Sequence, residues 1–161
     1  MGSETPGEAP ETAGFELGTD GPTAILVGLD DTDTASHAFA YAVGLARRQH
    51  ARLVAVFVSS AASVAAASPV GPSVLVAEEE AHEQIAGELR GRVKQVSTEL
   101  GVDATFIIAH GDPYTEIKRL ADETRADAIV VGASAKAGHR LVGSLAVRLV
   151  RAGRWPVTVV P

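Results

Sequence analysis

Five short runs of apolar residues recur along the chain, and between them apolar positions are spaced by three or four. Residues 23–29 (TAILVGL) and 52–58 (RLVAVFV) are nearly continuous runs, the pattern of strands covered on both faces. Residues 104–109, 128–131 and 157–160 repeat it in shorter form. Residues 34–49 place Ala35, Phe39, Ala42, Val43 and Ala46 on one helical face, with Thr32 or Asp33 positioned to cap the helix. Residues 77–100 predict a longer helix. Its stripe of Ile85, Leu89, Val93, Val96 and Leu100 faces the core, and Gly101 closes it. Residues 59–76, rich in Ala, Ser, Pro and Val, predict a long, mobile connection. A further helix follows Asp112, with Pro113 in the first position and Ile117, Leu120 and Ala121 turned inward. The last helix lies within residues 143–153.

Strands alternating with helices predict an α/β fold, an open five-stranded parallel sheet with helices on both faces. Right-handed crossovers restrict its winding. In a strand order 3-2-1-4-5 the first and fourth strands are neighbours where the winding reverses. Ligands of such sheets bind there, outside the carboxyl ends of the strands. Those two ends carry Asp30-Asp31 and Gly132, so a carboxylate and a glycine loop face one crevice.

Composition narrows the partners. With 14 Lys and Arg against 20 Asp and Glu, the net charge of −6 argues against sequence-independent binding of nucleic acid. The absence of cysteine excludes disulfides, thiolate metal sites and cysteine nucleophiles. No apolar run reaches the roughly 18 residues that span a bilayer. A basic stretch followed by an apolar one is also missing at the start, so the expectation is a cytoplasmic protein with no membrane partner. Residues 1–21 hold Glu4, Glu8, Glu11, Glu16 and Asp20 without a Lys or Arg, and Pro and Gly interrupt any period. They predict a disordered acidic tail, which leaves residues 22–161 as the folded domain.

The densest chemical signal is residues 129–145. An apolar strand ends in Gly132, a small basic loop carries Lys136, His139 and Arg140, and Gly143-Ser144 opens the last helix. Strand, loop and helix in that order present free backbone N–H groups and the positive end of a helix dipole to an anion. Two nucleotide motifs are absent. There is no G-x-G-x-x-G after the first strand, and although Gly138 and Gly143 have the Walker A spacing, Ser144 stands where its lysine belongs.

Four segments in order carry a resemblance over residues 23–161: Ile25-Leu26-Val27-Gly28-Leu29-Asp30, His110-Gly111-Asp112-Pro113, Asp127 to Gly132, and Gly143-Ser144 through Trp155-Pro156-Val157-Thr158-Val159-Val160. Together they resemble the universal stress protein family. That resemblance implies the adenine nucleotide alpha hydrolase-like fold, a bound adenine nucleotide, and a homodimer joined through residues 157–160. Its ATP-binding members carry Gly-x2-Gly-x9-Gly-Ser/Thr after strand four. Gly132 fits the first position and Gly143-Ser144 the last two. Ala135 replaces the second glycine, and the stretch from it to Gly143 is two residues shorter than the family spacing, with Gly138 between. By the same resemblance Asp30 contacts the adenosine, Val58 packs near the base and Val131 lies near the ligand. Ala135, Lys136, Gly138, Arg140, Gly143, Ser144 and Leu145 surround the phosphates. The implied ligand is ATP, with or without Mg; AMP and cyclic AMP are the alternatives.

Plainer readings stand beside these. Gly132 can mark a tight strand exit, Gly143-Ser144 can simply cap a helix, Asp30-Asp31 can be a solvated turn, and Lys136, His139 and Arg140 an ordinary solvated loop. His37, His50, His82 and His110 share no metal-ligand spacing, and Trp155 reads as the anchor of a strand start. Ser134 and Ser144 have no base in a recognisable arrangement, so the sequence predicts at most slow hydrolysis and no dedicated catalysis. The alternative function is a dimeric interaction module that is nucleotide-free or binds cyclic AMP, its phosphate loop vestigial.

Overall fold

The sheet grows from the apolar runs. In a computed structural model, which describes residues 21–59, 72–133 and 143–161, the strands are β1 (Ala24–Leu29), β2 (Arg52–Ser59), β3 (Ala104–His110), β4 (Ala128–Gly132) and β5 (Val157–Val160). All pairings are parallel, in the order β3-β2-β1-β4-β5. β1 is the central strand, and Ile25, Leu26 and Val27 are fully buried. The expected tail (apart from Gly21), most of the expected connection, and the loop with Ser134, Ala135, Lys136, Gly138, His139 and Arg140 lie outside the described residues.

Helices α1 (Asp33–Gln49), α2 (Pro72–Leu100), α3 (Pro113–Glu123) and α4 (Ser144–Ala152) join the strands. One apolar cluster gathers alternate residues of β1 and β2 with Phe39, Ala42 and Val43 of α1 and Leu89 and Val93 of α2. The other takes the opposite alternation, Leu26, Val54, Val56, Ile129 and Val131, with Ile117 and Leu120 of α3 and Ala146 and Leu149 of α4. Two-sided burial explains why the strands read as apolar runs instead of alternating.

Thr32, not Asp33, is the cap of α1: its hydroxyl oxygen accepts from the Ala35 N–H at 3.1 Å. Asp33 is the first helical residue. α2 begins at Pro72, five residues before the helix the sequence pattern predicts at 77. Residues 72–76 carry no amphipathic period, and Pro72 occupies the end of a helix that tolerates proline. Leu100, expected in the core stripe, is 43% exposed. The helix ends there, Gly101 turns the chain with φ +65°, and Val102 takes the core position instead. Asp112 caps α3 with Pro113 in the first turn, as the sequence predicts. Trp155 packs against the second cluster at the entry to β5, with the Arg154 guanidinium 4.7 Å from its ring centre.

Candidate functional site

The carboxyl ends of β1, β2 and β4 open into one crevice of about 640 Å³, within the range of small-molecule sites. Asp30, Val58, Val131, Gly132, Gly143, Ser144 and Leu145, which lie far apart in the sequence, all line it. The remaining expected residues, Ala135, Lys136, Gly138 and Arg140, fall in the loop outside the described residues. The structure adds Thr32 and Thr34 of α1, His82 and Ile85 of α2, and Pro113 and Ile117 of α3. His82 stands three residues before Ile85 on the apolar stripe, and that spacing was its one signal in the sequence. Its ring centre lies 6.1 Å from that of Phe57.

The crevice has two chemically distinct ends. Its β2 side is apolar: Val56, Phe57, Val58 and Ile85, with the His82 ring among them. Its β1 side is polar and already hydrogen-bonded. Asp30 Oδ1 accepts from the Thr32 N–H at 2.9 Å and from the Thr32 hydroxyl. The Thr34 hydroxyl donates to the Ala133 carbonyl at 2.7 Å, tying α1 to the end of β4.

Gly132 has a packing reason for being glycine. A Cβ there would lie 2.7 Å from the carbonyl carbon of Thr34 and 2.8 Å from the nitrogen of Ala35. The strand exit therefore touches the first turn of α1 backbone to backbone, and the tight-exit reading of Gly132 holds whatever the crevice binds.

Three helices begin at this crevice. α1 is capped by Thr32 and carries Asp33 in its first turn. α3 is capped by Asp112, whose carboxylate accepts from the Thr115 N–H at 3.0 Å and the Thr115 hydroxyl at 2.9 Å. Those two bonds, with Arg148 at 3.2 Å adding charge, hold the Asp112 carboxyl below its usual range. α4 begins after Gly143, with no side-chain cap and no acidic residue in its first turn. Its first N–H groups have no intrahelical partner and border the crevice. Among the described lining residues the formal charges are those of Asp30 and Asp31. Attraction for an anion there comes from the open end of α4. Among the described residues no group of three His, Cys, Asp or Glu gathers to hold a metal ion, and no helix is long and apolar enough to cross a membrane.

An all-parallel 3-2-1-4-5 sheet with its crevice at the reversal of winding is the adenine nucleotide alpha hydrolase-like fold. The sequence pattern of the universal stress protein family fits residues 23–161, and the chain belongs to that family. It is similar to the universal stress protein YxiE of Bacillus subtilis, 30% identical over 84% of this chain and 97% of that one. It is also similar to the universal stress protein UspA of Lactobacillus plantarum, 29% identical with a TM-score of 0.69 over 86% and 97% of the two chains. The fold extends to the universal stress protein from Archaeoglobus fulgidus in complex with dAMP, 20% identical with a TM-score of 0.59 over 86% and 98%. It extends likewise to a universal stress protein in complex with cAMP, 20% identical with a TM-score of 0.63 over 87% and 97%.

Proposed function

We propose that this chain binds an adenine nucleotide, ATP in the first instance, in the crevice between β1 and β4, and acts in stress response or signalling through the bound state. The observation that carries this reading is the uncapped N-terminus of α4, facing the same crevice as Asp30 and the apolar β2 side. The three parts fit the three parts of a nucleotide. An apolar wall suits the base, and the second oxygen of Asp30 suits a ribose hydroxyl. Unpartnered helix N–H groups suit phosphate. The cyclic AMP and dAMP complexes of fold relatives support the ligand class. A magnesium ion would arrive on the phosphates, as that ion commonly does. The described residues gather no general base beside an activated nucleophile, so the role is binding rather than turnover.

The same reading places the protein in the cytoplasm as a homodimer joined through β5. That strand pairs with β4 on one side, and its residues are half-buried. An apolar edge left bare pairs readily with a second copy. Calorimetric titration with ATP, ADP, AMP and cyclic AMP tests the ligand. A measurable heat with at least one is expected, and no heat or thermal shift at millimolar ligand would leave the interaction-module alternative. Sedimentation should give twice the chain mass, and Val159→Lys should shift it towards monomer. A stable monomer from the unaltered chain at micromolar concentration overturns the dimer.

A further inference from the structure

Resting on the nucleotide reading above, we infer that Thr34 is a positioning residue for the phosphate end of the crevice, acting through the carbonyl of Ala133. Thr34 and Ala133 are 99 residues apart and meet through a 2.7 Å hydrogen bond from the Thr34 hydroxyl. A hydroxyl has one proton to give. The Thr32 hydroxyl, 3.1 Å from that of Thr34, commits its own to Asp30. Thr34 is therefore the donor that remains for Ala133.

The contact is enforced from two other directions. Gly132 lets the first turn of α1 approach to backbone contact, which brings the Thr34 side chain within reach. On its other side Ala133 donates its N–H to the Val160 carbonyl at 2.7 Å. Ala133 is thus pinned to β5 through its nitrogen and to α1 through its oxygen. A planar trans peptide carries its N–H opposite its C=O, so a fixed carbonyl also fixes the direction of the peptide that leaves β4. The chain returns to the crevice at Gly143, the open start of α4. One hydroxyl on α1 therefore sets the exit towards the place where phosphate would bind. It does so at the end of a chain of bonds that begins on Asp30, at the adenosine end.

The test compares Thr34→Val, which keeps the shape and removes the donor, with Thr34→Ser, which keeps the donor. The full chain is titrated calorimetrically with ATP and with adenosine. Losing this bond should weaken ATP by ~10-fold, the scale of one hydrogen bond whose acceptor is left unpaired. Adenosine affinity should change by less than about twofold on the same scale, and Thr34→Ser should restore ATP. Thr34→Ala carries the same expectation should the branched variant fail to fold by circular dichroism. Equal losses for ATP and adenosine, or a serine variant as weak as the valine one, overturn this role while nucleotide binding stands. An unaltered chain that binds neither ligand overturns the nucleotide reading and this role together.

Discussion

The N-termini of α1 and α4 face the same crevice and are built in opposite ways. α1 consumes its donors internally: Thr32 accepts from the Ala35 N–H, and the acidic Asp33 sits at the positive end of the helix dipole. α4 begins at a glycine with no side-chain bond to the first turn and no acid near it. Gly143 has φ −58° and ψ 156°, a conformation open to any residue. Its lack of a side chain is thus not demanded by the backbone. A helix end that any Ser, Asp or Asn could close has been left open where the crevice is. Gly132 teaches the converse: a glycine in a suggestive position whose reason is contact with the backbone of α1.

Gly132→Ala should have the largest effect, because it breaks the docking on which the capped end depends. Its Cβ meets backbone atoms of Thr34 and Ala35, which yield only if α1 moves away from β4. Overpacking of this kind costs about 1–3 kcal/mol, read as a lowered midpoint in urea unfolding. A variant as stable as the parent would show that α1 is not fixed to the strand exit.

Gly143→Asp erases the difference between the two ends. An aspartate there can accept from the first turn of α4, so stability should rise by a few tenths to about 1 kcal/mol. The same carboxylate occupies the donors and repels a phosphate, so ATP affinity should fall by ~10-fold or more, the scale of a bond to a charged group. Opposite signs in unfolding and in titration are the expected signature. Unchanged ATP binding would mean that this helix end is not the anion site.

Sequence alone carried the architecture further than the site. The strands were legible because a sheet covered on both faces writes apolar runs, and Asp112-Pro113 marks a helix start chemically. The start of α2 was not, because residues 72–76 lack the period that signals a buried face. Leu100 misled because a stripe continues on paper past the turn at Gly101. In the site, Asp30, Val58 and Gly143 carry a visible strand-end or helix-start signal, and the structure brings them to one crevice. Thr34 and His82 have none, since both sit inside helical pattern, and only folding brings them to the crevice. The double role of Gly132 required seeing α1 against it.

The third helix start gives the smallest effect and separates cap chemistries. α3 is capped by a carboxylate and α1 by a hydroxyl, so acid should loosen one and leave the other. The Thr115 N–H and hydroxyl, then Arg148, hold the Asp112 carboxyl below its unfolded value of 3.8. A group depressed in the folded state contributes stability above its unfolded value and loses that contribution as pH falls through the lower folded value. The loss therefore belongs to the range below pH 3.8, and it is modest because the side chain is about half exposed to water. Asp112→Asn keeps an oxygen to accept from Thr115 and has no proton to gain. Urea midpoints followed from pH 6 down to pH 3 should fall less steeply for this variant than for the parent. The pair with Arg148 is surface-exposed and contributes little to that difference. Thr32→Ala should lower the midpoint at every pH by about 1 kcal/mol without altering the acid slope. Parallel acid slopes for Asp112→Asn and the parent would show that the α3 cap does not sense the proton, and the contrast between carboxylate and hydroxyl caps would fall.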